Sequence, residues 1–131
     1  MLRTKSVWTK IEPKVDGLRL LVTRFRGRGL PAKRYDVWMP SLGPSERLLA
    51  QVLRGKIAWS KFAREFRAEL VLDGPIDARS RSIKNHGQKF TLRLIHTLSR
   101  KGNITLLCHC DEDQLLCHRH VLKALIDSGR I

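Results

Sequence analysis

Apolar positions first concentrate between Leu18 and Arg24, in a short run with little polar alternation that predicts a buried strand over 18–24. The following stretch, through Gly27, Gly29, Pro31, Pro40 and Pro44, is dense in the two residues that interrupt regular structure, and reads as a loop. Ser45 then stands as an N-cap before Leu48, Leu49, Val52 and Leu53, which share helical spacing, and Gly55 supplies the stop. From Trp59 the apolar positions recur at Phe62, Ala63, Phe66 and Leu70, one stripe of a second helix. Residues 73–88 read as irregular. A third helix is expected with Phe90, Leu94, Ile95 and Leu98 facing inward, ending at Lys101-Gly102. Residues 103–110 predict a second buried strand. Residues 118–130 predict a closing helix with Val121, Leu122, Leu125 and Ile126 inward and Gly129 at its end. Residues 1–16 are left as an N-terminal extension or an edge strand.

Two buried strands separated by helices imply an α/β fold, a small parallel sheet flanked by helices in a single compact domain. The length of 131 residues is ample for one core. Ligands of such folds bind beyond the carboxyl ends of the strands. If the two strands are parallel neighbours, the loop after Arg24 and the loop after Cys108 open at the same edge of the sheet. No apolar run approaches the roughly 20 residues of a membrane span, and the first residues hold no apolar stretch of export-signal length. The expectation is therefore a cytoplasmic protein with no membrane partner.

Charge adds to this picture because it is large and uneven. The chain carries 26 Lys and Arg against 12 Asp and Glu, a formal net charge of +14. Residues 1–34 hold ten basic residues and residues 79–101 hold seven basic and no acidic ones, so two basic segments bracket a balanced middle. Such a field favours an anionic small molecule or nucleic acid, unless it is only a solvated surface. The loop after the first strand concentrates Arg24, Arg26, Arg28, Lys33 and Arg34, and planar guanidinium groups suit carboxylate or phosphate. Its expected anion-binding set is Arg24, Arg28 and Lys33, with Trp38 and Ser45 beside them. Gly27 and Gly29 would let the backbone approach an anion. Trp38 could stack on a base or cover the core.

All three cysteines lie in Cys108-His-Cys110 and Cys117-His118-Arg119, with three acids between them. On a strand Cys108 and Cys110 point one way and His109 the other. Cys117 falls near a helix N-terminus, where the macrodipole lowers a thiol's pKa. Four readings stay open. Cys108, Cys110 and Cys117 could bind zinc with a histidine such as His118, although the spacing matches no paired knuckle. Cys117 could form a redox disulfide with Cys110 or Cys108. Cys117 could act as a nucleophile assisted by His118 and Arg119. Or Cys108 is a small core residue and the acids a solvated turn.

Three blocks of the chain together resemble the domain of unknown function 488 family. They are the run from Val22 to Leu48 with its Arg-Gly-Leu, Asp-x-Trp and Pro-Ser elements, the helix from Trp59 to Leu70, and the run from Ile104 to Ile126 with its Cys-x-Cys and Cys-His-Arg elements. The resemblance spans about residues 17–128 and implies a compact α/β domain without implying an activity. The matching positions are Arg24, Arg28, Trp38, Pro44, Ser45, Cys108, Cys110, Cys117, His118 and Arg119. Thr23 stands where an Asp is frequent in that family. The combined expectation is a basic cleft at the carboxyl ends of the strands that binds or acts on a phosphorylated or nucleotide-like anion. Arg24, Arg28 and Lys33 form one wall in this expectation, and Cys108, Cys117, His118 and Arg119 the other. Arg24 and Arg119 would neutralise the ligand's charge, and replacing Arg24 with Ala would abolish anion binding with little effect on the fold.

Overall fold

The computed structural model describes residues 1–73, 75–77, 80–84 and 88–131. Its strands are β1 (Leu2–Ser6), β2 (Leu18–Leu21), β3 (Val37–Trp38), β4 (Pro75–Asp77), β5 (Ser80–Lys84) and β6 (Ile104–Cys108). Its helices are α1 (Pro13–Asp16), α2 (Glu46–Leu53), α3 (Trp59–Leu70), α4 (Lys89–Ser99) and α5 (His118–Ser128). Four strands form one parallel sheet in the order β1-β6-β2-β3, with Leu18 opposite Ile104 and Leu2 opposite Ile104 on the other side. This is the α/β arrangement that the two apolar runs predict.

β6 is buried at every position, as a strand paired on both sides and covered on both faces must be. Alternation along the strands then sorts two cores. Leu20, Val22, Ile104 and Leu106 face the helices, where they pack with Leu48, Phe62, Phe66, Leu92, Leu122 and Ile126. Leu21 and Leu107 face the other way, into a smaller cluster with Val7 and Leu30. Cys108 continues the helix-facing set, which fixes the side of the sheet on which its sulfur lies.

Several local expectations change. The N-terminal segment is the edge strand, not an extension; Arg3 and Lys5 give it the charged character that edge strands carry. Residues 73–88 are not wholly irregular, since β4 and β5 pair antiparallel; the remainder of that stretch at 74, 78–79 and 85–87 lies outside the described residues. α4 buries Leu92, Ile95 and Ser99, whereas Phe90, Leu94 and Leu98 are exposed. The helix is apolar on two adjacent stripes, and the position of α5 and β6 decides which one turns inward. Leu53, one of the four apolar residues at helical spacing on α2, is 77% exposed beside the cleft described below. Among the described residues, no helix is long and apolar enough to cross a membrane.

On the sheet face opposite the long helices, Asp16 is 2% exposed and accepts hydrogen bonds from the Lys5 Nζ at 2.9 Å and the Glu12 amide at 2.8 Å. Burial pushes its pKa up, but the Glu12 N–H and the Lys5 ammonium overcome this and hold the carboxyl below the ordinary 3.8. A folded-state pKa below the unfolded one means the contribution is complete above about pH 4 and fades as the pH falls through the folded value. Asp16→Asn is expected to cost about 1.5–3 kcal/mol near pH 7. Urea unfolding should show the gap from the parent closing as the pH falls below about 4.

Candidate functional site

The site forms where β2 and β6 end side by side. Their parallel pairing brings the Arg-rich loop and the Cys-rich loop to one edge, as the sequence pattern anticipates. His109 points to the Arg loop and its Nε2–H donates to the Arg26 carbonyl at 2.9 Å. Gly27 is needed there: a Cβ on it would lie 2.6 Å from the His109 ring. The space expected for an anion at Gly27 is thus taken by a histidine of the chain itself.

On the helix side Cys108, Cys110 and Cys117 converge, with all three sulfurs within 4.8 Å of one another and none in a disulfide. Cys108 closes β6, Cys117 is the N-cap of α5, and Cys110 lies between them at the loop's start. The Cys108 and Cys117 sulfurs are 3.1 Å apart and buried, whereas Cys110 is half-buried. The neighbouring Cys108 and then Cys117 thiols, with His118 and Arg119 nearby, hold the Cys110 thiol well below the ordinary range against the opposing effect of burial. The Cys117 thiol is pushed far up by the neighbouring Cys108 and Cys110 thiols and by burial. The lowering expected at Cys117 from the helix terminus is outweighed by two sulfur neighbours, and the favoured thiolate is Cys110 instead.

His118 stacks edge-on against Phe66, with ring centroids 5.9 Å apart, and its Nε2 meets the Val22 carbonyl at 2.7 Å. A carbonyl only accepts, so Nε2 carries the proton; burial lowers the pKa and leaves the ring neutral, with a lone pair on Nδ1. That Nδ1 is 3.9 Å from the Cys117 sulfur.

Arg119 is 0% exposed. Its guanidinium donates to the Cys108 sulfur at 3.0 Å and to the carbonyls of Cys110, Asp111 and Glu112 at 3.2, 2.8 and 2.9 Å. Its Nε has no partner, and no carboxylate pairs with it among the described residues. Arg119 therefore holds the Cys loop from inside, while Glu112 anchors the same loop to the Ser6 amide at 3.0 Å. An expected ligand-neutralising residue is thus an internal strut that donates to one sulfur and three backbone carbonyls.

The basic loop is used similarly. Arg24 donates to the carbonyls of Pro44 and Gly43 at 2.8 and 2.9 Å, strapping the segment that leads into α2. This tie makes a change at Arg24 a change to the fold. Trp38 Nε1 donates to the Thr23 carbonyl at 2.8 Å, and Thr23 in turn donates its hydroxyl to the Phe25 carbonyl. Ser45 caps α2 by accepting from the Leu48 amide at 3.2 Å. Arg28 and Lys33 are exposed, and their side chains make no hydrogen bond or ion pair among the described residues.

Two cavities meet over the thiols. One, of about 300 Å³, is walled by Leu49, Val52, Trp59 and Phe62 and reaches Cys110, Cys117 and His118. The other, of about 230 Å³, runs past Phe25, Arg24 and His109 and shares Leu49, Leu53, Cys110 and His118 with the first. Exposed Phe25, Leu53, Leu115 and Leu116 add apolar surface around them. Arg24 and Ser45 of the expected anion-binding set together line a separate cavity of about 280 Å³ with Ser41 and Glu69, while the walls of the cleft over the thiols are mainly apolar, with sulfur and imidazole at its base. Its walls on α2 and α3 are legible in the sequence only as core stripes; the neighbouring Leu115-Leu116 pair, apolar inside an otherwise polar loop, is the one local signal.

A parallel α/β sheet with a thiol cluster at its carboxyl edge defines the class of protein. The chain belongs to the DUF488 family: the matching family model is DUF488-N3a, described as the active DUF488-N3 subclade, over residues 2–130. The match takes in β1 as well as the blocks that carry the sequence resemblance. No curated protein and no solved structure matches the chain.

Proposed function

We propose that the protein is an enzyme whose cysteine sulfur reacts with a substrate group held in the apolar cleft, Cys110 being the sulfur that meets it. One observation carries this reading: Cys110 is the half-buried member of the cluster and lines both cavities, whereas Cys117 lines only the first and Cys108 lies beneath. A nucleophilic sulfur needs access, a nearby positive charge and an orienting shell. Arg119 supplies the charge, and its bonds to three successive carbonyls fix the loop that presents Cys110. The description of the family model as an active subclade supports an enzymatic reading. The walls favour an uncharged or apolar reacting group. An anionic substituent, or a nucleic-acid partner, would draw on Arg28 and Lys33 on the loop, since Arg24 and Arg119 spend their donors on the chain's own carbonyls.

Alkylation of the reduced, chelator-treated protein tests this. Neutral iodoacetamide and anionic iodoacetate are compared in enough salt to screen the net charge, each normalised to a small free thiol. Peptide mapping is expected to find Cys110 modified first, with iodoacetamide favoured, and Cys110→Ser is expected to remove the fast phase. First reaction at Cys117 would overturn the assignment of the sulfur. A clear preference for iodoacetate would overturn the apolar cleft in favour of an anion site.

A further inference from the structure

The same sulfurs have a second property that does not depend on any reaction at Cys110. Three thiols from two elements, the end of β6 with its following residues and the N-cap of α5, lie within 4.8 Å of one another. Clusters of three sulfurs at this spacing suit a thiophilic cation. Zinc takes sulfur at about 2.3 Å, which places tetrahedral sulfur ligands about 3.8 Å apart. The 3.1 Å separation of Cys108 and Cys117 and the 4.8 Å limit of the group bracket that value, so side-chain rotations moving each sulfur by about 1 Å suffice.

A fourth donor stands beside Cys117, outside the set of atoms that lie within 4.8 Å of one another. His118 holds its proton on Nε2 against the Val22 carbonyl, leaving the Nδ1 lone pair 3.9 Å from the Cys117 sulfur. An imidazole whose far nitrogen donates to a backbone carbonyl is the ordinary arrangement of a metal-ligating histidine, because that bond sets both tautomer and ring orientation. Three sulfurs and one imidazole nitrogen form one of the usual structural zinc sets.

Charge points the same way. Zinc with three thiolates and a neutral imidazole carries one net negative charge. Arg119, fully buried and without a carboxylate partner among the described residues, carries one positive charge and touches the Cys108 sulfur at 3.0 Å. A buried guanidinium is costly unless paired, and such a complex pairs it. The N–H···S bond from Arg119 uses a sulfur lone pair other than the one given to the metal. We propose that Cys108, Cys110 and Cys117, with Nδ1 of His118 as the fourth donor, bind one zinc ion and close the 111–116 loop around it.

The test uses the full chain, reduced and stripped of metal, titrated with zinc and examined by non-denaturing mass spectrometry. One zinc per chain is expected to survive transfer to zinc-free buffer, and to slow alkylation of all three cysteines at least tenfold. Cobalt in its place should give sulfur-to-metal charge-transfer absorption and the visible bands of a tetrahedral ion. Cys110→Ser, at the half-exposed position, should fold and lose the stable complex, and His118→Gln should weaken zinc at least tenfold. Loss of all zinc in zinc-free buffer, or zinc held by Cys110→Ser as tightly as by the parent, overturns the proposal. Unchanged affinity in His118→Gln overturns the fourth ligand. The two readings of the site separate cleanly: fast alkylation of Cys110 in a protein that holds no zinc leaves the sulfur chemistry and removes the metal, and the converse pair of results removes the chemistry and leaves the metal.

Discussion

Arg119→Leu is expected to destabilise the protein by about 1–3 kcal/mol, the cost of leaving buried hydrogen-bond acceptors without their donor. Four donated bonds disappear at once, and they serve different acceptors. Asp111 and Glu112 are exposed, so water can take over their carbonyls. Cys108 is fully buried, so its sulfur loses its cationic neighbour with no replacement. The loss should therefore combine reduced global stability with a loosened loop. Urea unfolding measures the first, and limited proteolysis within residues 111–116 measures the second. Arg119→Lys separates charge from geometry: it restores a cation, but one ammonium cannot reach three successive carbonyls and a sulfur together. It should recover only part of the stability and leave the loop cleavable. A change below about 1 kcal/mol in Arg119→Leu would mean that the loop is held by Glu112 and Ser6 alone.

Gly17→Ala should be at least as damaging, at the opposite end of the sheet. Gly17 joins α1 to β2 with φ 62° and ψ −135°, a conformation that L residues rarely adopt. A Cβ there would stand 1.9 Å from the Asn103 carbonyl oxygen and 2.6 Å from its carbon. Both are backbone atoms, and that same carbonyl accepts from the Leu18 amide at 3.1 Å, where the β2–β6 ladder begins. Nothing can yield without breaking the start of the sheet. A loss above about 3 kcal/mol follows from adding the clash to the conformational cost. Thermal unfolding checks it, and a midpoint within a few degrees of the parent would show that residues 13–17 can reroute.

The two apolar runs reveal the parallel sheet because a buried parallel strand is mostly apolar on both faces; residues 20–22 and Ile104–Cys108 are, with Thr105 the one polar exception, whereas Arg19 and exposed Leu18 mark the strand's start. β1 escapes such a reading: Arg3, Thr4, Lys5 and Ser6 carry no apolar alternation, and only pairing with β6 makes a strand of them. β3 is two residues inside a proline-rich loop and likewise depends on its neighbour. In α2, Ser45 announces its cap from the sequence, whereas the inward face of α4 is settled by packing alone. At the site, the alternation of Cys108, His109 and Cys110 correctly separates the sulfurs from the imidazole. What composition does not carry is the destination of each arginine. Arg24 and Arg119 look like ligand-binding cations by type, yet both turn to backbone carbonyls that only the folded loops bring within reach.

β6 is the last strand in the chain and the second in the sheet, lying between β1 and β2, which do not pair with each other. During synthesis the first two strands consequently wait for a mate that lies more than eighty residues further on. At about 5–20 residues per second that wait lasts several seconds, during which β2 has two residue pairs with β3 to form and β1 has no strand to join among the described residues. Nascent chains short of residue 104 thus present unmatched strand edges and apolar helix faces together, the surfaces that chaperones bind and that seed misassembly. The thiol loop follows immediately on β6, so the sheet and the cysteine cluster are completed in one late event, and a truncated product has neither.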